Sequence, residues 1–249
     1  MKLVLAGVPL GNPGDASARL ISAIKSASII AAEDSRRFQR LCQDLNVATD
    51  AKVLSFFEGN EDERTEQLLK ELQNGAEVLV VTDAGMPTVS DPGFKLVRAA
   101  VEAKIDIEVI PGPSAVTTAL ALSGLPTDRF CFEGFVPRTQ GARDKFFDNL
   151  KFESRTIVFF EAPHRLLETL DSAIAILGDD RKAALCREMT KTYEETVRGT
   201  LSEIQSWANS KEILGEITMV IDGASEGAKE ISQQAIIDAV RKLEEVGME

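Results

Sequence analysis

The stretch that most constrains the fold runs from Leu79 to Gly93. Leu79-Val80-Val81 is a continuous apolar run, and it breaks at Thr82 into a loop holding two aspartates, two prolines and two glycines. A run without polar alternation belongs to a strand covered on both faces, the condition of a parallel sheet in an α/β protein. In such sheets ligands bind beyond the carboxyl ends of the strands, where glycine lets a ligand approach the backbone without meeting a Cβ. The stretch therefore predicts a parallel sheet and a binding loop at its edge.

The same pattern recurs through the first half. Lys2 to Gly7 reads as a strand, and the loop Val8-Pro9-Leu10-Gly11-Asn12-Pro13-Gly14 leads to a helix capped by Asp15 or Ser17, with Leu20, Ile21 and Ile24 on one face. Strand-like runs follow at Ile29 to Ala32, Lys52 to Ser55, Val78 to Thr82 and Ile107 to Ile110. Helical stretches at Glu63 to Gln73 and Phe94 to Ala103 lie between them. Such alternation specifies an α/β fold with a mostly parallel sheet.

Pro111-Gly112-Pro113-Ser114 closes the fifth strand, and a short helix from Ser114 through Leu122 stops at Gly124-Leu125-Pro126. Beyond it, runs at Arg129 to Phe135, Thr156 to Phe160, Ala183 to Arg187, Thr196 to Thr200 and Glu216 to Ile221 alternate with few helices, which predicts a mixed sheet. The expected organisation is an N-terminal α/β domain over residues 1–118, a C-terminal α/β domain over 119–224, and a linker with an amphipathic helix over 225–249. Ile236, Ile237, Val240 and Leu243 form the apolar stripe of that helix.

No apolar run approaches the roughly 18 residues that span a bilayer, so the expected protein is cytoplasmic with no membrane partner. Cys42, Cys131 and Cys186 are far apart and odd in number. They fit neither a disulfide framework nor zinc spacing and are expected to pack as small core residues. A net charge of −12 argues against wrapping nucleic acid by counterion release alone, yet leaves room for a local basic face.

Several segments carry groups capable of chemistry. The first loop lacks the G-x-G-x-x-G spacing, and its prolines remove amide donors, so it is either a tight turn or a binding loop of another kind. Glu33-Asp34-Ser35-Arg36-Arg37 delivers two acids and two bases to a strand tip, suited to proton transfer, or to capping a helix that carries Phe38 and Leu41. The only histidine, His164, follows a strand end in Glu161-Ala162-Pro163-His164-Arg165. A single histidine cannot build a multi-histidine metal site, and no metal is expected. Arg138, Arg143 and Lys191 stand in polar segments that either meet phosphates or are ordinary surface charge.

Taken in order, Asp83-Ala84-Gly85 with Ser90-Asp91-Pro92-Gly93, then Pro111-Gly112-Pro113-Ser114, then Pro163-His164-Arg165 resemble the tetrapyrrole methylase superfamily, the class III S-adenosylmethionine methyltransferases. Within it, the match is to the branch that methylates a cytidine 2′-hydroxyl in the decoding centre of 16S ribosomal RNA. The resemblance implies two α/β domains, usually in a homodimer, with S-adenosylmethionine in the cleft between them. The implied cofactor contacts are Pro9, Asp83, Ala84, Gly85, Met86, Ser114, Ala115 and Phe160. Glu33, Asp34 and Arg36 are expected at the chemistry, with the two acids as candidate general bases. Arg37, Arg138, Arg143, His164, Arg165 and Lys191 are expected to face the RNA of the small ribosomal subunit.

The family commonly has threonine where Met86 stands and histidines in the segment written here as Ser55 to Glu61. The alternative within the superfamily is a methylase of a corrin or sirohaem precursor. The segments Glu33 to Arg36 and Glu161 to Arg165 favour the RNA branch.

Overall fold

The computed structural model describes residues 2–225. They form two compact units. One holds the described chain up to Thr118 together with Glu188–Glu194, and the other holds Ala119–Arg187 and the described chain from Glu195.

In the first unit, β1 (Lys2–Ala6), β2 (Ile29–Ala32), β3 (Lys52–Ser55), β4 (Glu77–Val81) and β5 (Asp106–Ile110) make one sheet in the order β3-β2-β4-β1-β5. Every pairing is parallel. The helices α1 (Ala18–Ser26), α2 (Ser35–Asp44), α3 (Glu61–Gln73) and α4 (Phe94–Glu102) cover both faces. Side chains alternate along each strand, which sorts the core into two layers. Val4, Ala6, Ile30, Ala32, Leu79 and Val81 meet Leu20 and Ile24 of α1 and Phe38 of α2. Leu3, Leu5, Ile29, Ala31, Val78 and Val80 meet Leu68 and Leu72 of α3 and Leu96 and Ala100 of α4. Val78 to Val81 are consequently buried without a break, as their composition requires.

The helix starts explain themselves locally. Ser17, not Asp15, caps α1 by accepting the Leu20 amide at 3.0 Å, because Asp15 lies in a 3-10 turn over Pro13–Asp15. The third helix begins at Glu61, earlier than the apolar spacing indicated. Its first turn is Glu61-Asp62-Glu63, and carboxylates are favoured beside the partial positive charge of a helix N-terminus. Gly93, at φ +127°, precedes α4 and has no side chain to cap it. Glu61 substitutes, accepting the Gly93 amide at 2.9 Å from a position only 8% exposed.

α5 (Ala115–Ser123) contains the division between the units. The second unit is a mixed sheet of β6 (Phe130–Phe135), β7 (Thr156–Glu161), β8 (Lys182–Arg187), β9 (Glu195–Thr200) and β10 (Ile217–Ile221), ordered β6-β7-β10-β8-β9. Only β6 and β7 run parallel. Its core gathers Phe147, Phe159 and Leu185 with the inward stripes of α6 (Gln140–Leu150), α7 (Leu166–Leu177) and α8 (Leu201–Asn209). Cys131 and Cys186 are buried, and Cys42 is half-buried against the first unit's core. Burial pushes the Cys131 thiol up to about 11, which leaves it unreactive at neutral pH. The expected helix carrying Ile236 and Val240 lies outside the described residues. No helix among the described residues is long and apolar enough to cross a membrane.

Candidate active site

Five loops leave the carboxyl ends of the five parallel strands of the first unit, and backbone contacts draw three of them together. The Gly7 amide donates to Ile110 at 2.9 Å, while Val8 and Gly85 exchange amide hydrogen bonds at 2.9 and 3.2 Å. Gly7 and Gly112 meet backbone to backbone. A Cβ at either would fall 2.7 Å from main-chain atoms of the other, so both positions exclude a side chain.

The loop between β4 and α4 holds an uncommon conformation. Besides Gly85 at φ +77° and Gly93, Thr88 and Ser90 lie at φ +75° and +62°. A β-branched residue in this region costs about 1–3 kcal/mol and persists only where surrounding contacts fix it. Thr88 donates its amide to Pro92 at 3.3 Å, and Val89 donates to Met86 at 3.4 Å. The loop is thus closed on itself, with its outer part, Asp91-Pro92-Gly93, forming the turn that hands the chain to α4.

Beside it, the tip of β2 carries a compact acidic cluster. Glu33 accepts the Asp83 amide at 3.0 Å, and Asp83 accepts the Asp34 amide at 3.1 Å, so the two loops clasp reciprocally. Arg37 approaches Asp83 at 3.4 Å. Burial pushes the Glu33 carboxyl above its ordinary range, opposed by the Asp83 amide and reinforced by the Asp83 charge. Asp34 moves the other way. Its hydrogen bonds from the Arg36 side chain and amide favour the ionised form. Asp34 also caps α2, accepting the Arg36 amide at 2.7 Å and the Arg37 amide at 3.4 Å.

These opposite shifts separate the two acids expected to act as bases. A group held at high proton affinity near its working pH is suited to take a proton, whereas one stabilised as an anion by a cap is suited to hold structure. The capping reading of this segment is realised by Asp34, while Glu33 is left with a raised proton affinity. Glu33, Asp34, Ser35, Arg36, Ser55 and Phe57 line an open cleft of about 410 Å³. Sequence reasoning did not single out Ser35, Ser55 and Phe57 as site residues. The available signal was a second phenylalanine, Phe57, placed after the apolar run of β3 had already ended.

The other expected residues fall into distinct places. In the first unit, Pro9 and Gly85 are buried, and Asp83, Ala84, Met86, Ser114 and Ala115 are half-buried along the same strand tips. A Cβ at Gly7 would also lie 2.6 Å from the Met86 sulfur, so that side chain reaches across to the β1 loop. Lys191 belongs to the Glu188–Glu194 segment counted with this unit, pairs with Glu188 at 2.9 Å and lays its stem over Gly11.

In the second unit, Phe160 is half-buried in β7, edge-on to Phe132 and Phe135 with centroids 4.9 and 5.4 Å away. His164 and Arg138 are exposed. Arg165 pairs with Glu161, whose carboxylate also accepts from the Ala162 amide and Thr169 hydroxyl, each at 2.6 Å. Arg143 departs from expectation. It is only 5% exposed, donating to Ser172 at 3.1 Å and to the Arg138 carbonyl at 3.3 Å. Its guanidinium also pairs with Glu168 of α7 at 3.2 Å, so its donors are engaged within the second unit and not left open to solvent as the expected contact with RNA requires.

With this geometry in place, comparison with known proteins is informative. Residues 2–205 match the family Tetrapyrrole (Corrin/Porphyrin) Methylases. Curated relatives named Ribosomal RNA small subunit methyltransferase I include one from Mycobacterium tuberculosis, 49% identical over 92% of this chain and 80% of its own length. Another from Thermotoga maritima is 43% identical over 89% of this chain and 98% of its own length. Among solved structures, the methyltransferase CobJ aligns with a TM-score of 0.68 at 17% identity, covering 90% of this chain and 94% of that one. Uroporphyrin-III-C-methyltransferase from Thermus thermophilus aligns at 0.63 and 17%, covering 88% and 93%. At these identities the structural likeness establishes the fold alone.

Proposed function

Because the chain belongs to the tetrapyrrole methylase family, we propose that it transfers a methyl group from S-adenosylmethionine to the 2′-hydroxyl of a cytidine in 16S ribosomal RNA of the small subunit, as a cytoplasmic homodimer. The observation that carries this reading is the 49% identity, over most of the chain, to a protein named for methylating small-subunit ribosomal RNA. The clasped acids at the cleft support it chemically.

The residues present suit S-adenosylmethionine. Gly7 and Gly112 leave room for backbone, and the half-buried main chain at Ala84 to Met86 and at Ser114 and Ala115 offers amide and carbonyl groups to a ligand rich in both donors and acceptors. Asp83 and Glu33 add negative charge suited to a sulfonium cation. Bound there, the cofactor would supply an electrophilic methyl group.

The protein's own part is positioning and proton removal. A ribose hydroxyl is a weak nucleophile at neutral pH, and Glu33, its proton affinity raised by burial, accepts the hydroxyl proton as the oxygen–carbon bond forms and the methyl carbon–sulfur bond breaks, its electron pair leaving with the neutral thioether sulfur. Asp34 keeps α2 capped and so fixes the strand tip from which Glu33 projects. Holding the reactants in line contributes more than proton transfer, since effective concentrations in aligned pairs are worth about 7–11 kcal/mol against about 3–5 kcal/mol for a general base. Arg36 and Arg37, on the first turn of α2, stand where RNA phosphates would pass.

Parallel incubations with labelled S-adenosylmethionine and either unmodified small subunits or a corrin or sirohaem precursor test the reading. Label is expected in 16S RNA. Label absent from that RNA but present on a corrin or sirohaem precursor would establish the alternative.

A further inference from the structure

Among the described residues, Phe57 is the only large apolar side chain lining the cleft beside Glu33, and it is 46% exposed. A lone exposed aromatic is ordinary on a protein surface, but this one is held in place. Its amide donates to the Asn60 side chain at 2.9 Å, and the same side chain donates to the Ser55 carbonyl at 3.1 Å, stapling the turn after β3. The ring lies against Gly59, where a Cβ would come within 2.8 Å of its Cε2. The result is a pre-set phenyl ring on a cleft wall whose other residues are ionic or hydroxylic.

Resting on the RNA reading above, we propose that Phe57 is the stacking platform for the base of the nucleotide that is methylated. For the 2′-hydroxyl to reach Glu33, that nucleotide leaves its neighbours in the RNA, and its base loses their stacking. An aromatic ring restores it, for any base, because each presents a π-face. The ring and the proton-accepting carboxylate of Glu33 then share one cleft, which couples recognition of the extruded base to placement of its ribose. Arg36, its side chain 89% exposed and held by two hydrogen bonds to Asp34 at 3.2 and 3.4 Å, turns its remaining donors to the phosphate beside the extruded nucleotide. On a chain of net charge −12, overall attraction to RNA is poor, so local contacts of this kind must supply the affinity.

The test compares Phe57→Ala, Phe57→Leu and Phe57→Trp with wild type on small subunits at saturating S-adenosylmethionine. The alanine and leucine variants are expected to lose about 5- to 150-fold in kcat/KM for subunits, the ratio that base–aromatic stacking corresponds to. The tryptophan variant is expected to stay near wild type, and all three are expected to keep wild-type cofactor affinity, oligomeric state and melting temperature. An unchanged alanine variant, or leucine serving as well as tryptophan, overturns the proposal. Lost cofactor binding or lost dimerisation also overturns it, by placing the ring on the cofactor or at a protomer contact.

A second arm does not depend on turnover. A short single-stranded RNA carrying a fluorescent cytidine analogue is expected to be quenched by the wild-type protein and not by Phe57→Ala. Equal quenching by both defeats the platform even where wild type labels no ribosomal RNA, the result that defeats the RNA reading itself.

Discussion

The Glu33 carboxylate accepts the amide hydrogen of Asp83 at 3.0 Å. An acid at the tip of β2 is thereby seated by the backbone of the loop after β4, and the return bond from the Asp34 amide to the Asp83 carboxylate closes the clasp at 3.1 Å. The proposed proton acceptor and the proposed cofactor loop are one hydrogen-bonded unit, so a shift in either moves the other.

The sign of the Glu33 shift sets a pH dependence. A general base works when deprotonated, and burial raises the pKa of Glu33, so kcat/KM is expected to rise with pH through a limb lying above the ordinary carboxylate range. Glu33→Gln is expected to remove that limb and to lower the single-turnover rate by about 10²–10⁴-fold, with cofactor affinity retained. Asp34→Ala, by contrast, is expected to cost about 0.5–2 kcal/mol of stability through the lost cap, with the pH limb kept and shifted slightly downward, because the Asp34 charge helps to raise Glu33. Rates and urea midpoints across pH for both variants check the division of roles.

The Gly7 and Gly112 contact predicts sharp intolerance. Gly7→Ala puts a Cβ 2.7 Å from Gly112 main-chain atoms and is expected to cost about 1–3 kcal/mol, with weakened binding of S-adenosylmethionine by calorimetry. Gly141→Ala is the control. Nothing lies within 4 Å of its Cβ, and in α6 alanine is favoured over glycine, so stability is expected to hold or rise. Equal behaviour of the two variants would contradict the close approach.

Much of this arrangement was legible in the sequence because it follows from local rules. Apolar runs such as Leu79 to Val81 give parallel strands, and Asp34 and Ser17 act as caps wherever a helix follows. The mixed sheet of the second unit followed from adjacent strand runs without intervening helices. What stayed hidden depends on contacts between residues distant in sequence. Glu61 caps α4 from 32 residues upstream of Gly93, Phe57 acquires a cleft only once β2 lies beside β3, and the internal partners of Arg143 on α7 cannot be read from its own segment. Arginine in a polar stretch looks alike whether it points inward or out.

Arg143 and Arg138 therefore separate structure from recognition. Arg143→Met leaves the Ser172 hydroxyl and the Arg138 carbonyl without their donor and is expected to lower stability by about 1–3 kcal/mol, with RNA affinity unchanged once the variant is folded. Arg138→Ala keeps that carbonyl, and is expected to preserve stability while weakening RNA binding and flattening its salt dependence. Chemical denaturation and filter binding at two salt concentrations check the pair. A stable Arg143→Met that loses RNA affinity would return Arg143 to the RNA face.

Ribose methylation of small-subunit RNA is distinguished from base methylation by alkaline hydrolysis of the labelled product. A 2′-O-methyl group blocks cleavage at its own phosphodiester, so 16S RNA labelled by this protein is predicted to yield its label in an alkali-resistant dinucleotide containing 2′-O-methylcytidine. Label released in mononucleotides, as a base methylation would give, or no label in 16S RNA from protein shown to bind S-adenosylmethionine, would contradict the account.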